Sequence, residues 1–162
     1  MATSGLNSEA FKLMIADISK AKEVESGIIK VDLSSEDFKK WPKENKICKT
    51  IVVKVAWIQG EIVGMRRDSE DQSKLIIIKD GTGEAVIAGW DVIPGGDHEG
   101  IKIGEYIAIL GQVMALKPAV YMKAVKLMVL NKNPLLKTVW PDEVKDLKGF
   151  LLGFYSSWDH SN

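Results

Sequence analysis

The sequence predicts a mainly β chain that closes into a small barrel with a helix at either end, on three observations. The apolar run Leu75-Ile76-Ile77-Ile78 turns through Asp80-Gly81-Thr82-Gly83 into Ala85-Val86-Ile87-Ala88. Asp-Gly between β-branched runs signals a hairpin, with both glycines expected where the backbone reaches positive φ. A phrase with apolar residues at every second position and one glycine precedes it, Ala56-x-Ile58-x-Gly60-x-Ile62, and another follows, Ile107-x-Ile109-x-Gly111-x-Val113. Glycine in such a series lets a strand bulge and coil, as a small closed barrel requires. After Asn133-Pro134 the period lengthens, and Leu136, Trp140, Val144, Leu147, Leu151 and Phe154 recur at helical spacing.

The elements follow in order. Ser8 is placed to cap a first helix whose Phe11, Met14, Ile15 and Ile18 share one face, with Lys12 on it a candidate partner contact. From Glu23 to Lys49 the signals are mixed. Gly27-Ile28-Ile29-Lys30-Val31 reads as a short strand within a connection that Phe38 and Trp41 pack onto the barrel. Ile51 to Met65 is the first long strand. With Ala56, Ile58, Gly60 and Ile62 inward, Val53, Val55, Trp57 and Gln59 take the other face. Trp57 then needs a cover: the first helix or the 23–49 connection on one reading, a partner or a stacked base on the other.

Arg66 to Ser73 is a charged hairpin tip, and Trp90 to Gly100 is a loop. Gly104 to Leu116 is the second coiling strand, meant to pair with the first, and Ala119 to Leu130 is the last. Five strands with long, glycine-bulged first and fourth members describe a single OB-fold barrel. The division is 1–50 for the N-terminal helix and connection, 51–130 for the barrel, and 131–162 for the C-terminal helix and tail. In that helix Asn133 caps and Pro134 takes the first helical position, while Pro141 directly after Trp140 predicts a kink or a fresh start. Leu135, Val139 and Phe150 widen its apolar seam, which is the kind that meets other helices.

Composition narrows the function. In 162 residues, 22 basic and 22 acidic side chains cancel, whereas an autonomous nucleic-acid binder usually shows a basic excess. One cysteine, Cys48, excludes an internal disulfide framework and fits a reducing compartment. Asp97, His98 and Glu99 are sequence neighbours that rarely converge on one ion, and no phosphate-cradling glycine motif or nucleophile elbow occurs. The expectation is a protein without catalysis, metal, cofactor or membrane span.

Val55-Ala56-Trp57-Ile58-Gln59-Gly60, Asp80-Gly81-Thr82-Gly83 with Pro94 beyond it, Gly104-Glu105-Tyr106-Ile107, Ala124-Val125-Lys126, and Asn133-Pro134 through Trp140 to Glu143-Val144-Lys145-Asp146-Leu147 resemble the RecQ-mediated genome instability protein 2 family. The likeness runs in register from about Trp57 to Leu147. It implies a non-catalytic, nuclear OB-fold subunit that pairs with the C-terminal OB domain of RecQ-mediated genome instability protein 1. Through that partner it would join topoisomerase III and a Bloom-type RecQ helicase in dissolving double Holliday junctions, touching DNA weakly or indirectly. Leu136, Val139, Trp140, Val144, Leu147 and Leu151 become the implied partner-binding seam, with Trp57 and Lys126 as surface contacts. The alternative is a small replication-protein-A-like or telomere-capping subunit that stacks single-stranded DNA on Trp57, Trp90, Tyr106 or Tyr121.

Overall fold

The computed structural model describes residues 10–25, 27–34, 48–94 and 100–153. In chain order these form β1 (Ala10–Lys12), α1 (Ile15–Ser19), β2 (Lys22–Glu25), β3 (Ile28–Ser34), β4 (Cys48–Val53), β5 (Val55–Arg67), β6 (Lys74–Lys79), β7 (Glu84–Ala88), a 3-10 turn at Trp90–Val92, β8 (Tyr106–Ala115), β9 (Val120–Val129) and α2 (Leu135–Leu151). Strand β5 is long enough to serve two neighbours along one ladder side each. Ala56 to Glu61 pair antiparallel with β8, and Glu61 to Arg67 pair antiparallel with β6. The order β5-β6-β7-β9-β8 therefore closes on itself, with β7 and β9 parallel. This is the expected five-stranded OB barrel, mainly β, with a short helix before it and a long one after it.

The two glycines of the repeated phrase sit where strands cross at closest range. A Cβ on Gly60 would stand 2.8 Å from the Lys79 carbonyl oxygen, and one on Gly111 would overlap the carbonyl oxygen of Lys123. Backbone cannot yield as a flexible side chain does. Gly111→Ala is thus expected to lower the unfolding free energy by about 2–3 kcal/mol in urea, at unchanged slope. In the central turn only Gly81 reaches positive φ, at 93°. Gly83 is needed for space, because a Cβ there would come 3.3 Å from Ile15 Cγ2.

Three sequence expectations change. The first helix is shorter and later: Ala10–Lys12 is a strand parallel to Val55–Trp57, and α1 starts at Ile15. Leu13 and Ile15 are buried while Met14 is not, so the two-residue alternation prevails here over the helical one, and the proposed Ser8 cap lies outside the described residues. The first long strand is two strands, because a bend at Lys54 shifts the inward phase from Val53 to Ala56. Val53 thus faces the core and pairs with Ile29. The 23–49 connection supplies more strand than expected, since β2-β3-β4 form a three-stranded sheet; Phe38 and Trp41 lie outside the described residues, as do Asp97, His98 and Glu99. Ile29, Val31 and Leu33 of β3 join the barrel interior, Ile18, Ile58, Ile76, Ile87, Ile107 and Met122 among it, in one core.

Candidate protein-interaction site

The C-terminal helix has an apolar arc too wide for one surface to cover, and the barrel takes its centre. Asn133 Oδ1 accepts from the Leu135 amide at 3.1 Å, and Pro134 already has helical dihedrals (φ −63°, ψ −17°). The expected start therefore holds. Helix α2 continues through Pro141, so it does not start afresh there. Pro141 leaves one carbonyl of the first turns without a backbone donor, a local loss, while Trp140 and Val144 on either side are each only 1% exposed and hold the helix onto the barrel.

Trp57 is covered from within its own chain, by α2 and by Lys12, which lies on β1 and not on the expected first helix. Its ring lies 5.9 Å from that of Trp140, at 33° between planes, and the Lys12 ammonium sits 4.9 Å from its ring centroid. Offset aromatic pairs and cation–π contacts are attractive in this range. The sandwich Lys12–Trp57–Trp140 thus ties β1, β5 and α2 together. Two ion pairs reinforce it: Lys12 Nζ to Glu143 Oε1 at 3.1 Å, and Lys148 Nζ to Asp17 Oδ1 at 2.7 Å. Lys12 is consequently engaged within its own chain, where the sequence offered it as a partner contact. Trp140 and Val144 are likewise buried against their own barrel and offer no surface to a partner.

What remains outward is one margin of the arc. Leu135 is 66% exposed and Phe150 41%; Val139, Leu136 and Leu147 are half-buried, and Leu151 packs against the core. At 100° per residue Leu135, Val139 and Phe150 fall on one flank, beside a groove of about 360 Å³ between β1 and α2. Lys126 is exposed on β9, opposite Leu110 of β8.

Of the residues considered as stacking platforms, Trp90 is buried at 4% and Trp57 is sandwiched. Tyr106 donates its hydroxyl to Gln59 Oε1 at 3.0 Å, with Lys137 over its ring at 5.9 Å. Burial, then the carboxylates of Asp80 and Glu143, push the Tyr106 phenol up to about 12. A raised folded pKa favours the protonated form, so this contribution to stability is whole below pH 10 and is lost as the pH climbs toward 12. Tyr121 is half-buried on β9, and burial first, then the carboxylates of Asp68 and Asp71, raise its phenol. Acidic groups beside a platform oppose phosphate.

Sequence reasoning missed the grip of the central hairpin on α1. Asp80 Oδ2 accepts from the Ile15 amide at 2.7 Å, while Oδ1 accepts from the Thr82 amide and hydroxyl at 2.8 and 2.7 Å. The Thr82 hydroxyl in turn accepts from the Ala16 amide at 3.0 Å. The turn therefore caps a helix 65 residues away in sequence, an arrangement no local pattern encodes. Asp80→Ala is expected to cost about 2 kcal/mol, read as a lower urea midpoint together with faster amide exchange at Ile15 and Ala16.

A sequence model of the RecQ-mediated genome instability protein 2 family matches residues 9–148. The chain belongs to that family. Among relatives called RecQ-mediated genome instability protein 2, the chicken protein (Gallus gallus) is 27% identical over 97 residues, covering 60% of this chain and 68% of that one. The cattle protein (Bos taurus) is 28% identical over 95 residues, and the mouse protein (Mus musculus) 30% over 91. The match spans 59% and 56% of this chain and only 56% of each of those two proteins. The fold of this family member is also that of a chain in the S. pombe Stn1-ten1 complex, with a TM-score of 0.59 at 14% identity, covering 91% of this chain and 96% of that one. A chain of a replication protein A heterotrimer bound to single-stranded DNA gives 0.58 at 12% identity, covering 85% and 93%. At such identities the likeness is one of fold.

Proposed function

We propose that this member of the RecQ-mediated genome instability protein 2 family is a non-catalytic subunit that pairs, through the exposed margin of α2, with the C-terminal OB domain of RecQ-mediated genome instability protein 1. The pair then steadies a nuclear complex of topoisomerase III and a Bloom-type RecQ helicase that dissolves double Holliday junctions. The observation that carries this reading is the flank of Leu135, Val139 and Phe150 on a helix whose centre is already satisfied by its own barrel. Fully burying such side chains is worth about 1.5–3 kcal/mol each, enough for a specific interface once association costs are met. Leu136 and Leu147, half-buried at the boundary, extend the contact.

The test is co-expression with that OB domain followed by high-salt gel filtration, where an equimolar complex is expected. Elution of the two proteins apart would remove the reading. A labelled single-stranded oligonucleotide should bind the isolated chain only weakly at low salt and negligibly at moderate salt; tight binding would replace the reading with the replication-protein-A-like one.

A further inference from the structure

A second cleft opens between the first turns of α2 and the end of the barrel that carries the central hairpin. It measures about 370 Å³, at the small end of the range of about 300–1,000 Å³ for ligand clefts, and suits one long side chain better than a cofactor. Its walls are apolar or aromatic, formed by Val63, 39% exposed, and by Tyr106, Trp140 and Pro141. The Tyr106 ring is held in place by the bond from its hydroxyl to Gln59. The rim is charged. Tyr106, Glu61, Lys79 and Glu84 stand in register across four neighbouring strands, two carboxylates to one ammonium, so Lys79 has opposite charge on both sides. Asp80, also at the rim, is already engaged with the Ile15, Thr82 and Gly83 amides.

One more cation reaches in from α2. The Lys137 ammonium lies 3.6 Å from Glu61 Oε1 and 5.9 Å from the Tyr106 ring centroid, with its side chain still 61% exposed. The cleft thus takes a cation from its own chain and holds it loosely. We propose that this cleft receives an arginine side chain from an extended basic segment of a protein partner, with Lys137 as the resident cation that yields to it. An exposed lysine–carboxylate pair is weak. A guanidinium is planar and less strongly hydrated, so it can lie on the Tyr106 face and offer two parallel N–H donors to the Glu61 carboxylate at once. The methylene stem of the arginine rests on Val63 and Pro141, as long basic side chains do on apolar surface. Around the helix Lys137 is about 200° from Val139. A partner seated on the Val139 margin therefore leaves this cleft accessible, and the inference stands apart from the assignment of that margin.

The test is an NMR titration of the isotope-labelled full chain, at low salt, with a capped glycine pentapeptide whose central residue is arginine. Lysine and glutamate versions of the peptide serve as controls. The arginine peptide is expected to give saturable shifts centred on Glu61, Val63, Tyr106 and Lys137, and to bind at least about threefold tighter than the lysine peptide. Glu61→Gln should weaken it at least about tenfold. Lys137→Ala should tighten it about two- to fivefold, because the resident competitor is gone. Both side chains are largely solvent-exposed, and unchanged amide spectra away from the cleft show that the fold of each variant is intact. No saturable shift up to millimolar peptide, an equal response to the lysine peptide, or an affinity that ignores Glu61→Gln overturns the proposal. A stronger response to the glutamate peptide, drawn to Lys79 and Lys137, overturns it as well and makes the cleft an anion site. Unchanged or weaker binding in Lys137→Ala also overturns it, since Lys137 is then no occupant that a ligand must displace.

Discussion

Replacing Trp140 with alanine is expected to cost about 3–5 kcal/mol of unfolding free energy, the range for truncating a large buried aromatic. The side chain is 1% exposed and lies against Trp57. Its loss opens a cavity at the junction of α2 and β5 and uncovers a second indole. Both indole N–H groups are buried without a hydrogen-bond partner among the described residues, so ring contact and apolar burial hold the pair. Trp140→Phe keeps a ring there and should lose markedly less. Urea unfolding reads the magnitude. Amide exchange across 135–151 reads the cause, since α2 should lose protection while the β5–β8 ladder keeps it. A Trp140→Ala variant as stable as the native chain would mean that the helix is held by its ion pairs alone, an unexpected result because partly exposed pairs contribute about 0–1 kcal/mol each.

Val139→Asp combined with Phe150→Asp should have the opposite profile. Phe150 is exposed and Val139 half-buried on this margin, so the cost in stability is expected to stay at about 1 kcal/mol, well below that of Trp140→Ala. Binding to RecQ-mediated genome instability protein 1 should fall at least about 100-fold, some 2.8 kcal/mol, because two carboxylates would have to be stripped of water in an apolar contact that offers them no counter-charge. The contrast with Trp140 separates the two jobs of one helix. Residues at its centre fasten it to the barrel, and residues at its edge are those assigned to the proposed association.

The barrel was legible because its signals are local or repeat. Asp80-Gly81 between β-branched runs marked the hairpin, and the spacing around Gly60 and Gly111 marked two strands that pair in the structure, Ala56 with Gly111 and Gly60 with Ile107. The helix from Leu135 onward was equally plain from its period and its Asn133-Pro134 start. What the pattern could not express is which side of a wide apolar arc meets which surface. Trp140 looks like an interface residue in sequence, yet Trp57 needs a cover, and the two requirements answer each other across a separation of 83 positions. Pairings such as Asp17 with Lys148, 131 residues apart, and Asp80 with Ile15 leave no periodic trace. The same holds for β1, whose three residues are extended only because the free edge of β5 receives them.

The most direct test of where the partner sits is site-specific photo-crosslinking in the assembled pair. A benzophenone side chain placed at Leu135 or Phe150, on the exposed margin of α2, is expected to capture RecQ-mediated genome instability protein 1, while the same group at Val92, 72% exposed on the turn after β7, should not. Capture from Val92 with none from Leu135 or Phe150 would contradict the assignment of α2 as the associating face.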